Sequence, residues 1–311
     1  MHRRRPFDPR QPFPRFRALQ AGIPRATVDS DAFRRLLHGV IVSADVPDSA
    51  VLRVKAALAC HFDSAYASHA SAARVWRVPV QTRPGEHVTV VDQAHRLRRA
   101  GVTTYHRTGA SVAVRDGVRV STLVDLFVEL AEELSLVELV VAGDWMVRRH
   151  RVRPKDLRRA ATTATGPHAR LARRAARYVR PRVDSPMETR LRMLIVLAGM
   201  PEPEVNVSVR TVDGQEVRRF DLCWPEVRVI VEYDGRHHVE RVEQWESDID
   251  RREEIDDEEW RILVVVASGI YVDPARTVRR IFRLLERRGL EGLPARPSED
   301  WRPHFPGRLA A

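Results

Sequence analysis

Cysteine is nearly absent: Cys60 and Cys223 are the only two in 311 residues. Two thiols cannot build a disulfide framework or a four-thiolate zinc knuckle, and the expectation is a reducing, cytoplasmic compartment. Long apolar runs are missing as well. No stretch of 18 apolar residues occurs, and the best candidate, Leu134 to Val147, is broken by Glu138 and Asp144. That argues against a membrane-spanning helix. The opening MHRRRPFDPRQPFPRF has cations but no apolar core behind them, unlike a secretory signal. Lysine is scarce too. Only Lys55 and Lys155 occur, so 51 of the 53 cations are arginine.

What is present is an ordinary globular composition, 43% hydrophobic and 31% charged. The length suits two domains, each with its own core. The net charge of +11 is unevenly spread. Residues 1–182 hold 33 basic and 16 acidic side chains, net +17, while residues 183–290 hold 17 and 23, net −6. The basic half suits a polyanion such as DNA. The acidic half suits one only where its carboxylates hold metal.

Residues 1–14 read as a basic, flexible arm. A short helix, a turn at Gly22-Ile23-Pro24, and a small strand or wing at Leu36–Val42 follow. Residues 49–62 and 64–77 carry helical spacing, HVTVVD at 87–92 and residues 102–106 read as strands, and 121–142 reads as one long helix. Residues 154–182 form a basic, Ala-rich helical linker. Ser185-Pro186-Met187-Glu188 opens a helix with Ser at the N-cap, Pro at N1 and Glu at N3. Val205, Val207 and Val209 alternate as a strand, and Asp213-Gly214 signals a hairpin. Further strands are expected at Glu216–Trp224 and Arg228–Asp234. A charged helix at 242–258, a fully buried strand at Arg261–Ala267 and a helix opened by Asp273-Pro274 complete the order. Residues 291–311 are expected to be a flexible tail.

Chemistry concentrates in four acids: Glu188, Asp221, Glu232 and Asp234. Spacing of i, i+2 puts Glu232 and Asp234 on one strand face. The short turn at Pro225-Glu226 brings Asp221 toward Glu232. Converging carboxylates repel one another, and such a cluster calls for a divalent cation, which can activate water at a phosphate. Glu188 is also explained by its capping box alone, and Glu232 and Asp234 by a half-solvated strand. His237 and His238 follow the acids as bases or metal ligands, or as surface residues. Arg251 and Arg252 could clamp phosphate, or solvate a helix face beside their acidic neighbours.

The α-β-β-β-α-β order, with Glu188 on the first helix, Phe220-Asp221 on strand two and Glu232-Tyr233-Asp234-Gly235 on strand three, resembles the PD-(D/E)XK nuclease superfamily. Residues 183–288 are similar to a bacterial domain family related to very-short-patch-repair (Vsr-like) endonucleases, with His238, Asp248, Arg251-Arg252 and Trp260-Arg261-Ile262-Leu263 as further matching pieces. The resemblance implies an α/β protein with a restriction-endonuclease-like αβββαβ core at 183–290. It implies a Mg²⁺- or Mn²⁺-dependent endodeoxyribonuclease in which Asp221 and Glu232 bind the metal. Asp234 or Glu188 would complete the shell, His238 would take the proton, and Arg251 or Arg252 would hold phosphate. Asp234 stands where the superfamily has Lys, Phe220 where it has Pro, and Glu259 where a Gly usually precedes the Trp.

Residues 15–153 resemble AbiEi-type antitoxin regions, on Arg17–Val42, Leu52–Pro79, HVTVV and Ser121-Thr122-Leu123-Val124-Asp125-Leu126. This implies a reduced winged helix followed by a mixed α/β module, with DNA as partner. Against these cations stands Val28-Asp29-Ser30-Asp31, which puts acids where a recognition helix needs base, so a protein partner stays open. The alternative to the nuclease is a DNA-binding regulator or toxin–antitoxin component with a degenerate nuclease-like domain.

Overall fold

The computed structural model describes residues 7–210, 216–235 and 260–307. Among these the chain is mixed α/β, with eleven helices and three sheets. No described helix is long and apolar enough to cross a membrane. The chain divides into two compact units, residues 1–134 with 155–177, and residues 135–154 with 178–311.

The first unit opens with a small sheet of order β1-β3-β2, from β1 (Phe13–Pro14), β2 (Phe33–Leu37) and β3 (Val40–Ser43). Helices α1 (Arg15–Gln20) and α2 (Arg25–Val28) stand beside it. The apolar centre is Phe13, Ala18, Val28 and Ile41, with Ile23 and Phe33 against it. Phe13, expected in a flexible arm, is 5% exposed and meets Phe33 edge-on at 5.8 Å. Burying that ring anchors the strand pairing of β1 with β3.

The larger sheet has order β6-β5-β4-β8-β7. Its strands are β4 (Tyr66–Ala67), β5 (Glu86–Val90), β6 (Val102–His106), β7 (Val112–Arg115) and β8 (Val118–Ser121). Helices α3 (Ala50–Leu58), α4 (His69–Trp76) and α5 (Leu123–Leu130) accompany it. Ala57, Ala65, Val88, Val90 and Val102 form one of its packed centres. The β7–β8 hairpin turns on Asp116 and Gly117, at φ 51° and 72°. Both central residues are left-handed, as a two-residue hairpin requires.

The long helix expected over 121–142 is two. Residue Ala131 caps α5, and Ser135 starts α6 (Leu136–His150) by accepting from Glu138 N at 3.3 Å. A Ser-x-x-Glu box inside an apolar run starts a new helix without breaking the apolar pattern. The basic stretch after it forms α7 (Pro154–Thr163) and α8 (Ala169–Tyr178). The helical linker of 154–182 therefore belongs mostly to the first unit, while α6, expected in the first domain, belongs to the second.

The second unit holds α6, α9 (Pro186–Leu197) and a sheet of order β12-β11-β10-β9. Those strands are β9 (Glu204–Arg210), β10 (Glu216–Trp224), β11 (Val229–Asp234) and β12 (Arg261–Val266). Pairing is antiparallel from β9 to β10 to β11 and parallel from β11 to β12. The short helix α10 (Ala267–Tyr271) and α11 (Pro274–Arg287) follow. Strand β12 is not buried throughout: it ends the sheet order, and Val264 is 43% exposed. An apolar run alone does not tell a central strand from an outer one. Residues 291–307, expected to be loose, are packed. Trp301 and Phe305 are buried, and Ser298 N donates to Ala198 O at 2.8 Å.

Candidate active site

Residue Asp221 sits on β10 just beyond the last paired residue, Leu222, which faces Val231. Where the ladder stops, its carboxylate takes over: Tyr233 N donates to Asp221 Oδ2 at 3.0 Å. The side chain is half-buried. Burial pushes its pKa up from 3.8 to about 6, against the Tyr233 hydrogen bond, and the nearby charges of Glu188 and Glu232 push the same way. No salt bridge reaches Asp221 among the described residues; Arg219 acts on it only at longer range.

Residue Glu188 is in the third position of α9. Its N–H donates to Ser185 Oγ at 3.1 Å, and its Oε2 accepts from Asp184 N at 3.0 Å, so the capping role read from the sequence is filled. A third partner was not foreseen. Asn206 Nδ2 donates to the same Oε2 at 2.9 Å, from a position in β9 with φ 50°. The left-handed backbone turns this side chain out of the strand alternation and toward the helix cap. Its neighbours Val205 and Val207 hide it in an alternating strand pattern, and only Asn itself, tolerant of such φ, was a signal.

The structure thus brings Glu188, Asp221 and Glu232 into one electrostatic neighbourhood. Asp234 ends β11 and is exposed. His238, Arg251 and Arg252 lie outside the described residues. Among the described residues no three His, Cys, Asp or Glu side chains could hold a metal ion as a set. The acids nevertheless fit a hard divalent cation of the Mg²⁺ kind, which takes one or two carboxylates and completes its shell with water and phosphate oxygen. The fit rests on Asp221: a carboxylate pressed toward its neutral form by burial and two acids is relieved by a cation.

Close by, arginines settle other acids. Asp184 accepts from Arg148 Nε at 2.5 Å and pairs with Arg219. Arg190 grips Glu138 through Nε and Nη2 at 2.8 and 2.7 Å. Arg192, fully buried, donates to Asp144 Oδ2 and Glu202 Oε1, each at 2.8 Å. In the sequence Asp144 looked only like a break in an apolar run.

The first unit holds a polar cluster that the sequence reading passed over. Ser121 Oγ and His69 N donate to the buried Glu129 carboxylate at 2.8 and 3.0 Å. The His87 ring lies 3.1 Å from Glu133 and 3.2 Å from the Tyr105 hydroxyl. His69 stacks on Tyr105 at 3.8 Å with a left-handed backbone, φ 45°. Burial pushes the Tyr105 hydroxyl up to about 12, and Glu133 and Glu132 add to it. The signal was His87 inside the alternation of HVTVV.

No family model matches the chain. Two proteins of Mycobacterium tuberculosis are similar to it, the uncharacterized protein MT2308 of strain CDC 1551 / Oshkosh and the uncharacterized protein Rv2248 of strain ATCC 25618 / H37Rv. Each is 24% identical over 207 residues, covering 66% of this chain and 76% of the relative. A match of that length exceeds either unit, so it includes parts of both.

Proposed function

We propose that the second unit is a metal-dependent endonuclease of PD-(D/E)XK type that hydrolyses DNA phosphodiester bonds in the cytoplasm. The observation that supports this reading is Asp221, whose carboxyl is pushed up to about 6 by burial and by Glu188 and Glu232, with no cation in a salt bridge to it among the described residues. Perturbed carboxylates with a shared charge problem concentrate at functional sites. Asp221 and Glu232 would hold Mg²⁺ or Mn²⁺, which when bound supplies Lewis acidity at the phosphate and an activated water. Tyr233 N fixes Oδ2 of Asp221 and so sets the direction in which Oδ1 is offered. The Glu188 carboxyl, held by Asp184 N and Asn206 Nδ2, acts electrostatically on Asp221. His238 is assigned the proton and Arg251 or Arg252 the phosphate, on the resemblance alone. The basic first half supplies sequence-independent affinity that falls with salt.

A second reading is favoured by one residue, Asp234, which stands where the superfamily carries Lys. A site without that cation suits a DNA-binding regulator whose nuclease-like unit no longer cuts. Cleavage of labelled duplex and single-stranded DNA with Mg²⁺ or Mn²⁺ separates the two. The expected result is cutting that Asp221→Ala and Glu232→Ala both abolish while the fold persists. DNA binding without cutting on any substrate moves the assignment to the regulator, and cutting that survives both substitutions removes the site.

A further inference from the structure

Strand β6 is last in the order of the five-stranded sheet, and residues 93–101 run beside it. Between them lies an open cavity of about 770 Å³, lined by Arg96, Arg98, Arg99, Thr103 and Thr104 among others. That volume is in the range of small-ligand clefts, roughly 300–1,000 Å³.

Its lining is basic and holds no acid. No Asp or Glu occurs between Asp92 and Asp116. Among the described residues none of the three arginines forms a salt bridge; their fixed bonds go to neutral carbonyls. Arg96 donates to Thr104 O at 3.2 Å, and Arg99 donates to His38 O. These bonds hold the guanidiniums in place without cancelling them. Arg98 is exposed.

An aromatic outside the cavity lining is tied to its edge through His95, the neighbour of Arg96 in the chain. Phe62 is 57% exposed, and one ring face stacks on His95 at 3.7 Å and 22°. His95 directly precedes Arg96. His61 Nε2 lies 3.4 Å from Thr104 Oγ1, which joins the end of α3 to the groove wall. Arg99 is near enough to act electrostatically on both Cys60 and His61.

We propose that this groove binds a single-stranded nucleic-acid segment, with a base stacked on Phe62 and its phosphates on Arg96, Arg98 and Arg99. A ring stacked on one side and open on the other accepts a base, whatever its identity. Duplex DNA keeps its bases inside and gives Phe62 nothing to stack on. An acidic peptide would use the arginines but not the ring. The site stands on its own observations, and its test needs no divalent cation, so it can fail or survive independently of the nuclease reading.

The test is fluorescence anisotropy of the full chain with labelled dT20 and with a 20-base-pair duplex, in EDTA, over a salt series. Phe62→Ala is expected to weaken dT20 about tenfold, the range of one base–aromatic stack, while duplex affinity changes less than about twofold. Phe62→Trp retains binding. Arg98→Gln is expected to reduce the slope of log K against log salt by about 0.7, the value for one contact to a single strand. Both side chains are exposed, and circular dichroism verifies that the variants fold. Four results overturn the proposal: no binding of dT20, equal loss for duplex and single strand in Phe62→Ala, an unchanged Phe62→Ala, or full loss of dT20 binding on substituting Arg170 and Arg174 of α8 instead. Displacement of dT20 by poly-glutamate at equal charge also overturns it, in favour of an acidic protein partner.

Discussion

Asp144, fully buried, and Asp221, half-buried, are carboxylates of the same unit, and burial pushes the pKa of both up, yet their partners differ. Asp144 is 1% exposed and accepts from Arg180 N, Thr189 Oγ1 and Arg192 Nη2 at 2.7, 2.9 and 2.8 Å. Each of its two oxygens is met by at least one donor, and the charge by a cation. Asp221 has one backbone N–H and two acidic neighbours. The first arrangement holds helices α6 and α9 together. The second leaves Asp221 without a cation in a salt bridge among the described residues.

The largest expected effect breaks the satisfied member. Arg192→Ala strands Asp144 without its cation in a dry place, and urea denaturation should show a loss of about 3–5 kcal/mol. A loss below about 1 kcal/mol would mean that the pair is solvated after all.

The unsatisfied member should respond in the opposite direction. With its pKa raised, native Asp221 binds more protons than the unfolded chain between about pH 4 and 6, so its contribution to stability is present below pH 4 and lost as pH rises through 6. Asp221→Asn removes that loss. The variant should be more stable than the parent by on the order of 2 kcal/mol at pH 7, with the gain gone at pH 4. A variant equally stable or weaker at pH 7 would contradict the unpaired state of Asp221.

A smaller effect sharpens the comparison. Glu188→Gln keeps the cap acceptor but removes one of the acids acting on Asp221. The Asp221 carboxyl should then titrate lower, read from its carbon shift by NMR, with little change in melting temperature. An unmoved titration would take Glu188 out of the site and leave it only its cap.

Much of the second unit could be read in advance for a physical reason. Val205, Val207 and Val209 alternate, Ser185-Pro186 fixes a helix start, and Asp273 with Pro274 fixes another, its side chain accepting from Arg276 N at 2.9 Å. These signals act over a few residues. The misses needed distance. Residues 291–307 are tied down by contacts such as Ser298 N to Ala198 O, a hundred positions back in the chain. For the site, Asp221 was legible as an acid in an apolar strand, where acids are costly, and Glu188 as the acid of a capping box. Asn206 was not, because its role follows from a backbone angle. Asp144 was not, because its partner Arg192 lies 48 positions away.

The order of the units along the chain has a consequence for inheritance. The path changes unit three times, after Leu134, Pro154 and Arg177, and two of these changes fall at the start of α7 and the end of α8. No single cut releases either unit whole. A recombination that transplants the four-stranded sheet and α9 without α6 leaves Arg192 without Asp144 and Arg190 without Glu138, two ion pairs at once. The two halves are therefore tied to travel together, which agrees with relatives whose 207-residue likeness takes in both.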